Sequence, residues 1–405
     1  MTIDYRSSLK TLLRAREVGR RCRLMLSTMV CNLLGIVHMA WLSVKHSPGT
    51  HNVKRLIVLG FGGIGNHLML TPALRGLKKQ NPSISIHLLT HCPACRDLLA
   101  RNPHLSDISV TPFPGRRDFL QAIRFGRALR RLKPDAILSA AGTNPVTGSL
   151  IAFFSGARLR IGEDWKGRGF LYTHRVKVGP DIYEAEQNIR LARRLDFADV
   201  DCVTRLHLSP QEFEEGKAYI DNLNIERGKM ILGIHPGSGN EQSWKRWPMD
   251  RFIGVAAEIS RIQPIFPLFF FGPDEQHLAS RLLSDSHNQY AAYIGGESLR
   301  MTAEVIGFCD LFLSNDSGLR HIATALGLKT LTIFGPTSTK KNHHNCITQR
   351  AIFRKDVLCR PCHYTTWWLA CGDRRPCLGL IDEGDVIREL SALIDYSMRS
   401  RQTSR

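Results

Sequence analysis

The sequence predicts an α/β protein built on two parallel sheets, and three observations carry that prediction. From Val53 onward, short apolar runs alternate with helix-length stretches, an order that lays consecutive strands side by side and parallel. A polar, helix-prone segment from Ser209 to Arg227 interrupts the alternation once, and the order then restarts. A chain of 405 residues that is 43% hydrophobic is also long enough to bury two ordinary cores.

In the first half, Leu56 to Leu59 reads as a short apolar strand followed by a glycine-rich loop. Leu68 to Lys79 reads as a helix with Pro72 in its first turns, where a missing N–H is tolerated. Ile84 to Leu89 is the next strand, Phe119 to Leu132 a helix, and Ala136 to Ser139 and Arg175 to Val178 are later strands. In the second half, Met230 to Ile234, Phe269 to Phe271, Leu311 to Leu313 and Leu331 to Phe334 read as strands with helices between. Glu383 to Tyr396 is a last helix that can pack on either half. The expected division is a basic and apolar arm over 1–52, domains over 53–205 and 206–382, and a helix with a basic tail over 383–405.

The formal charge of +19 calls for an acidic partner. Arg6, Lys10, Arg14, Arg16, Arg20, Arg21 and Arg23 crowd the arm. The other cations are spread without the aromatic interleaving or zinc-finger spacing of a nucleic-acid binder, so no nucleic-acid partner is expected. A phosphorylated lipid or an anionic membrane surface fits better. Behind the arm, Leu24 to Val44 is mostly apolar, free of full charges and long enough to span a bilayer, with Asn32 and His38 weakening it. No small-residue cleavage site of the signal-peptide kind follows it. Spanning would carry the remainder across the membrane, away from nucleotides, whereas an in-plane or re-entrant anchor would not. Membrane association is expected, and spanning stays open. Eleven cysteines in a chain this long suggest a reducing compartment rather than a disulfide scaffold.

Several loops suit an anion. Gly60-Phe61-Gly62-Gly63-Ile64-Gly65 satisfies G-x-G-x-x-G between a strand and a helix, the context of dinucleotide binding. No acid follows the next strand to hold a ribose, since His91 and Cys92 stand there, so close approach of the backbone to some ligand is what remains. His235-Pro236-Gly237-Ser238-Gly239, with Lys245 beyond, offers tight backbone approach, a hydroxyl and a mobile charge suited to a diphosphate. Alone, it reads as a turn beside a solvated charge pair. Gly272-Pro273-Asp274-Glu275 offers carboxylates to ribose hydroxyls, or Asp274 caps the next helix. Asp316-Ser317-Gly318 opens a helix whose free N–H groups and positive dipole end suit a phosphate, with His321 about one turn on; an ordinary N-cap is the plainer alternative. Leu331 to Phe334 then ends in Gly335-Pro336-Thr337. Loops of this kind after strands of one sheet converge on one edge, where doubly wound sheets bind ligands.

In this order, GGIGNHLMLTPALRGLK, HPGSG with KRWP, the glycine loop with Glu275, NDSG-x-x-H and FGPT resemble glycosyltransferase family 9, the heptosyltransferase family of lipopolysaccharide core synthesis, from about Val53 to Leu390. The resemblance implies a GT-B fold, two Rossmann-like domains facing a cleft, and an inverting transfer that needs no metal or other cofactor. It implies a nucleotide-sugar donor, commonly ADP-heptose, in the C-terminal domain. It implies a phosphorylated lipid-linked saccharide acceptor in the N-terminal domain. With the membrane-associating arm, the expected location is the cytoplasmic face of the inner membrane, peripheral or anchored by the N-terminal segment. By motif, Ser238 and Lys245 would contact the diphosphate, Glu275 the ribose, and Asp316, Ser317, Gly318 and His321 the diphosphate and sugar. Arg116, Arg117, Lys166 and Arg168 lie in first-domain loops, facing either an acidic acceptor or solvent.

One departure concerns catalysis. Where the family's first motif carries the Asp that deprotonates the acceptor, this chain has Asn66. An amide can orient a hydroxyl but cannot take its proton. His67, of ordinary pKa ~6.5, is the nearest replacement, although neighbours at a helix start point in different directions. A base from elsewhere, an acceptor needing little base help, or lost activity are the other readings. Lost activity would leave a nucleotide-sugar or glycan-binding protein, and a NAD-dependent oxidoreductase is a further alternative. Arg320, where the family often has Met, either alters donor choice or points to solvent. Cys359, Cys362, Cys371 and Cys377 can be read as a zinc site of irregular spacing, with reduced structural cysteines the default; Cys92 and Cys95 form a lone pair.

Overall fold

In the computed structural model the described residues are Met29 and 53–403, without 115–117, 180, 284–289, 297, 345, 364, 366–367 and 369–370. The basic arm and, Met29 apart, the apolar segment 24–44 lie outside the described residues, as do Arg116 and Arg117. Among the described residues no helix is long and apolar enough to cross a membrane.

Two parallel six-stranded sheets form the frame. The first contains β1 (Arg55–Gly60), β2 (Ser85–Thr90), β3 (Asp107–Val110), β4 (Ala136–Ser139), β5 (Leu159–Asp164) and β6 (His174–Lys177), in the order β3-β2-β1-β4-β5-β6. The second contains β7 (Met230–His235), β8 (Ile265–Phe271), β9 (Ala291–Ile294), β10 (Leu311–Asn315), β11 (Lys329–Ile333) and β12 (Gln349–Ile352), in the order β12-β11-β10-β7-β8-β9. Each order reverses once, between β1 and β4 and between β7 and β10, and a ligand crevice opens at such a point beyond the carboxyl ends of the strands. Strands covered on both faces must be apolar throughout, and β7 and β10 are buried at every position.

Four strands were not expected from the sequence, for two physical reasons. Strands β3, β9 and β12 are sheet edges, only partly buried, and their sequences DISV, AAYI and QRAI carry little apolar signal. Strand β5 carries Arg160 and Glu163, both buried and both hydrogen-bonded inside, so charges interrupt its apolar run. The helix expected over Leu68 to Lys79 is two, Ile64–Leu68 and Thr71–Gln80, because Pro72 takes the first turn of a new helix. Phe119–Leu129 continues as a 3-10 turn, Arg130–Leu132, and stops at Lys133, whose φ of 46° is left-handed, a common way for a helix to end, with Pro134 following. Glu383–Thr403 packs on the Met249–Ile262 helix and on β11 and β12, burying Leu390, Leu393 and Ile394, and so belongs to the second domain.

The joint between the domains is built around Arg300. Its buried guanidinium donates to Leu98 O of the first domain at 2.8 Å, to His207 O at 2.6 Å and, in a fork, to the Glu212 carboxylate. One hydrophobic cluster follows the joint, running from Leu98 through Leu206 to Ala303 and Ile306. A lysine keeps the charge but loses the planar fork and both carbonyls. Arg300→Lys is expected to cost about 1–3 kcal/mol, read as a lower urea midpoint with an unchanged slope.

Candidate active site

The second-sheet loops are knitted together by two buried side chains. Asn315, closing β10, donates to Pro236 O at 2.7 Å and accepts from Trp247 N at 3.0 Å, joining the β7 and β10 loops across the crevice. Glu275 accepts from Ser238 N at 2.8 Å and Gly239 N at 3.1 Å on one oxygen, and from Gly272 N at 3.0 Å and His235 Nε2 at 3.0 Å on the other. Burial alone would push this carboxyl up, but His235 and the backbone donors hold it well below the usual carboxylate range. Both oxygens carry two N–H donors each, so the carboxylate is spent inside the protein. Gly237 is required here, because a Cβ would lie 1.9 Å from the Glu275 carboxylate. His235 in turn pairs through Nδ1 with the Ser317 hydroxyl at 2.8 Å. Ser317 therefore leaves the helix Gly318–Ala325 without a side-chain cap on its first N–H groups.

Beside that helix start stands a compact charge cluster. Lys245 Nζ is 3.5 Å and Arg320 3.4 Å from the Asp316 carboxylate. Burial opposes the charge on Asp316, yet Lys245 and Arg320 keep its carboxyl down at about 2. Arg320 is 1% exposed, donates to His321 Nε2 at 2.6 Å and to Asn342 O at 2.8 Å, and lies over Phe334. It points inward, not to solvent. Burial, together with Arg320, pulls His321 well below its ordinary value, so the ring is neutral and accepts at Nε2. Lys245 belongs to this cluster through Asp316, whereas the Ser238 hydroxyl donates to Gln242 O at 2.8 Å.

On the first-domain side, Asn66 Oδ1 accepts from Gly63 N at 2.9 Å, and its Nδ2 donates to the Glu184 carboxylate. His67 is 1% exposed, with Nδ1 on Gly63 O at 2.9 Å and the ring against Gly60. Burial pulls its imidazole below the ordinary value. Its Nε2 is enclosed on the Gly60 side. The two sides of the cleft touch: a Cβ on Gly65 would lie 2.6 Å from the His321 ring. Lys340 also reaches Asp181 at 2.8 Å, and Tyr183 stacks on His344 at 5.6 Å.

Lys166 and Arg168 follow β5 and flank the half-exposed Trp165, at 5.5 and 4.8 Å from its ring centre. A cleft of about 560 Å³ lined by Arg175, Val176, Lys177, Arg190, Arg193 and Arg194 adds a second basic surface to the same domain. Cys359 is exposed, Cys362 and Cys377 are buried and Cys371 is half-buried. Among the described residues no three His, Cys, Asp or Glu stand together as metal ligands. The cysteine segment props the loop after β11, with Cys362 N donating to Pro336 O at 3.0 Å and Arg360 to Gly335 O. Glu184 and Glu163 were not singled out in the sequence. A first-turn Glu is ordinarily a complement to the helix dipole, and Glu184 is 118 positions from its partner Asn66.

Two Rossmann-like domains, each a parallel six-stranded sheet with helices, meeting over glycine-rich loops define a GT-B protein. The family profile described as glycosyltransferase family 9 (heptosyltransferase) matches residues 122–366, more than half of the chain, and the chain belongs to that family. It is 31% identical over 174 residues to lipooligosaccharide heptosyltransferase 2 of Campylobacter jejuni, a match covering 42% of this chain and only 54%, about half, of that one. It is 25% identical over 297 residues to lipopolysaccharide heptosyltransferase 2 of Salmonella typhimurium, covering 70% of this chain and 83% of that one. The solved E. coli ADP-heptose lps heptosyltransferase II superposes with a TM-score of 0.66 at 20% identity, over 86% of this chain and 99% of that one, which shows a shared fold.

Proposed function

We propose that this protein moves a sugar, heptose or similar, from a nucleoside-diphosphate sugar to a hydroxyl of an anionic lipid-linked saccharide such as lipopolysaccharide core. The transfer inverts the anomeric carbon and needs no metal. The observation that carries this is the cradle itself: Lys245, with Nζ 3.5 Å from Asp316, beside a helix start that has no side-chain cap. Ser238, Lys245, Asp316, Ser317, Gly318 and His321 make the donor side, and Glu275 holds the loops that shape it. Trp165 with Lys166 and Arg168 supplies an apolar ring and two cations on the acceptor side, suited to a charged saccharide. The heptosyltransferase names of its relatives support a heptose donor. The transfer runs at the cytoplasmic face of the inner membrane, with the basic arm on lipid headgroups.

Titration with ADP and UDP, then an acceptor assay with ADP-heptose, tests this. Saturable nucleotide binding and transfer are expected, and a chain that binds neither nucleotide sinks the proposal. Lys245→Ala removes one charge-assisted contact to the diphosphate, so ADP affinity is expected to fall about 10- to 100-fold by titration calorimetry. The second reading, a nucleotide-sugar binder without turnover, is favoured by Asn66 alone and predicts ADP binding with no transfer to any acceptor.

A further inference from the structure

The proposed transfer needs a proton acceptor on the first-domain side of the cleft, and the two residues suggested by position do not provide one. Asn66 is consumed at both ends, by Gly63 N and by Glu184, and His67 is shut inside the domain. Glu184 opens the helix Glu184–Ala192 and reaches Asn66 from the opposite side. That puts a carboxylate one amide away from where the family's motif carries its acid. The oxygen not bonded to Asn66 has no hydrogen-bond partner among the described residues.

The site lies at the domain contact. Gly65 meets His321 and Gly318 meets Ile64 one and two residues away from Asn66. The charged groups facing Glu184 are Glu163 on β5, whose carboxylate accepts from Gly142 N at 3.0 Å, and Lys341 on the helix Thr339–Asn342 of the second domain. Arg75, on the helix packed alongside, is turned to Asp201 instead.

We propose that Glu184 is the general base of this transferase, with Asn66 as the residue that positions it. This rests on the transferase reading above. One Glu184 oxygen takes the proton of the acceptor hydroxyl as the hydroxyl oxygen bonds to the anomeric carbon. The bond from that carbon to the diphosphate oxygen breaks, and the nucleoside diphosphate leaves with the electron pair. The surroundings suit a base, because burial, with the like charge of Glu163, raises the Glu184 carboxyl to about 7 even against the Asn66 hydrogen bond. A base poised near working pH combines the right protonation state with useful driving force.

Glu184→Gln keeps the size and still accepts from Asn66 but cannot take a proton. In the full-length chain, with ADP-heptose and a lipid-linked saccharide, kcat is expected to fall about 10²- to 10⁴-fold while donor KM and ADP affinity hold. Wild-type kcat should rise with pH and level off above about 7, and that limb should vanish in the variant. Asn66→Asp added to Glu184→Gln returns an acid to the motif position and is expected to recover at least about tenfold. Folding is checked by melting at pH 8. A carboxyl raised from 4.5 to about 7 keeps its proton in the folded state where the unfolded chain has lost it, so its contribution to stability declines as pH rises across that window. The Gln variant should therefore melt no lower than wild type.

An unchanged kcat in Glu184→Gln, with wild-type turnover intact, overturns the assignment and leaves the transferase reading standing. Loss of ADP affinity and melting temperature along with kcat marks a structural role and also overturns it. A wild-type chain that binds ADP yet transfers to no acceptor overturns both.

Discussion

Glu275→Ala is expected to lower the free energy of unfolding by about 3–5 kcal/mol and to remove saturable ADP binding together with it. The carboxylate is 2% exposed and gathers N–H donors from three backbone positions and His235. Alanine leaves Ser238 N, Gly239 N and Gly272 N without their acceptor and withdraws the partner that Arg246 approaches at 3.6 Å. Uncompensated donors in a dry site cost more than the hydrogen bonds contributed. The loops after β7 and β8 then lose the clasp that sets their spacing, and His235 no longer holds Ser317 away from the helix start. Urea unfolding measures the first effect and calorimetry the second. Inorganic pyrophosphate separates the clasp from a ribose contact. If Glu275 acted only on ribose, Glu275→Ala would bind pyrophosphate like wild type; if it shapes the cradle, pyrophosphate binding is lost too.

The contrast between Glu275 and Glu184 shows what a sequence discloses of such a site. The strands β1, β7, β10 and β11 were legible because a parallel strand buried on both faces has to be continuously apolar. The loops after them were legible because tight backbone approach selects glycine, as Gly65 against His321 and Gly237 against Glu275 show. Position was readable there, but direction was not: Glu275 stands in the expected loop and faces inward, and Arg320, read as donor-facing or solvent-facing, is a buried partner of Asp316 and His321. His67 likewise follows Asn66 in sequence yet turns into the core. Glu184 left no signal at all, since its meaning comes from a contact made across the fold, and a lone first-turn carboxylate has a simpler local explanation.

Asp316→Asn carries the other large effect, an expected loss of about 3 kcal/mol of stability at neutral pH. The substitution strands Arg320, which is 1% exposed, and Lys245 without the anion they share. Its pH dependence has a definite sign. The folded carboxyl is depressed from 3.8 to about 2, so between those values the unfolded chain binds more protons than the folded one. The stabilisation is complete above 3.8 and drains away as pH falls through about 2, so wild type and variant should converge in acid and separate by pH 5. Chemical denaturation at stepped pH reads this directly, and a gap that stays constant from pH 5 to pH 2 contradicts it. The same substitution removes a negative charge 3.5 Å from Lys245, at the edge of the proposed diphosphate cradle. Pyrophosphate should therefore bind Asp316→Asn at least as tightly as wild type, the opposite of its response to Lys245→Ala and Glu275→Ala. Weaker pyrophosphate binding in all three would instead mean that the cluster holds the fold of the cradle and not its field.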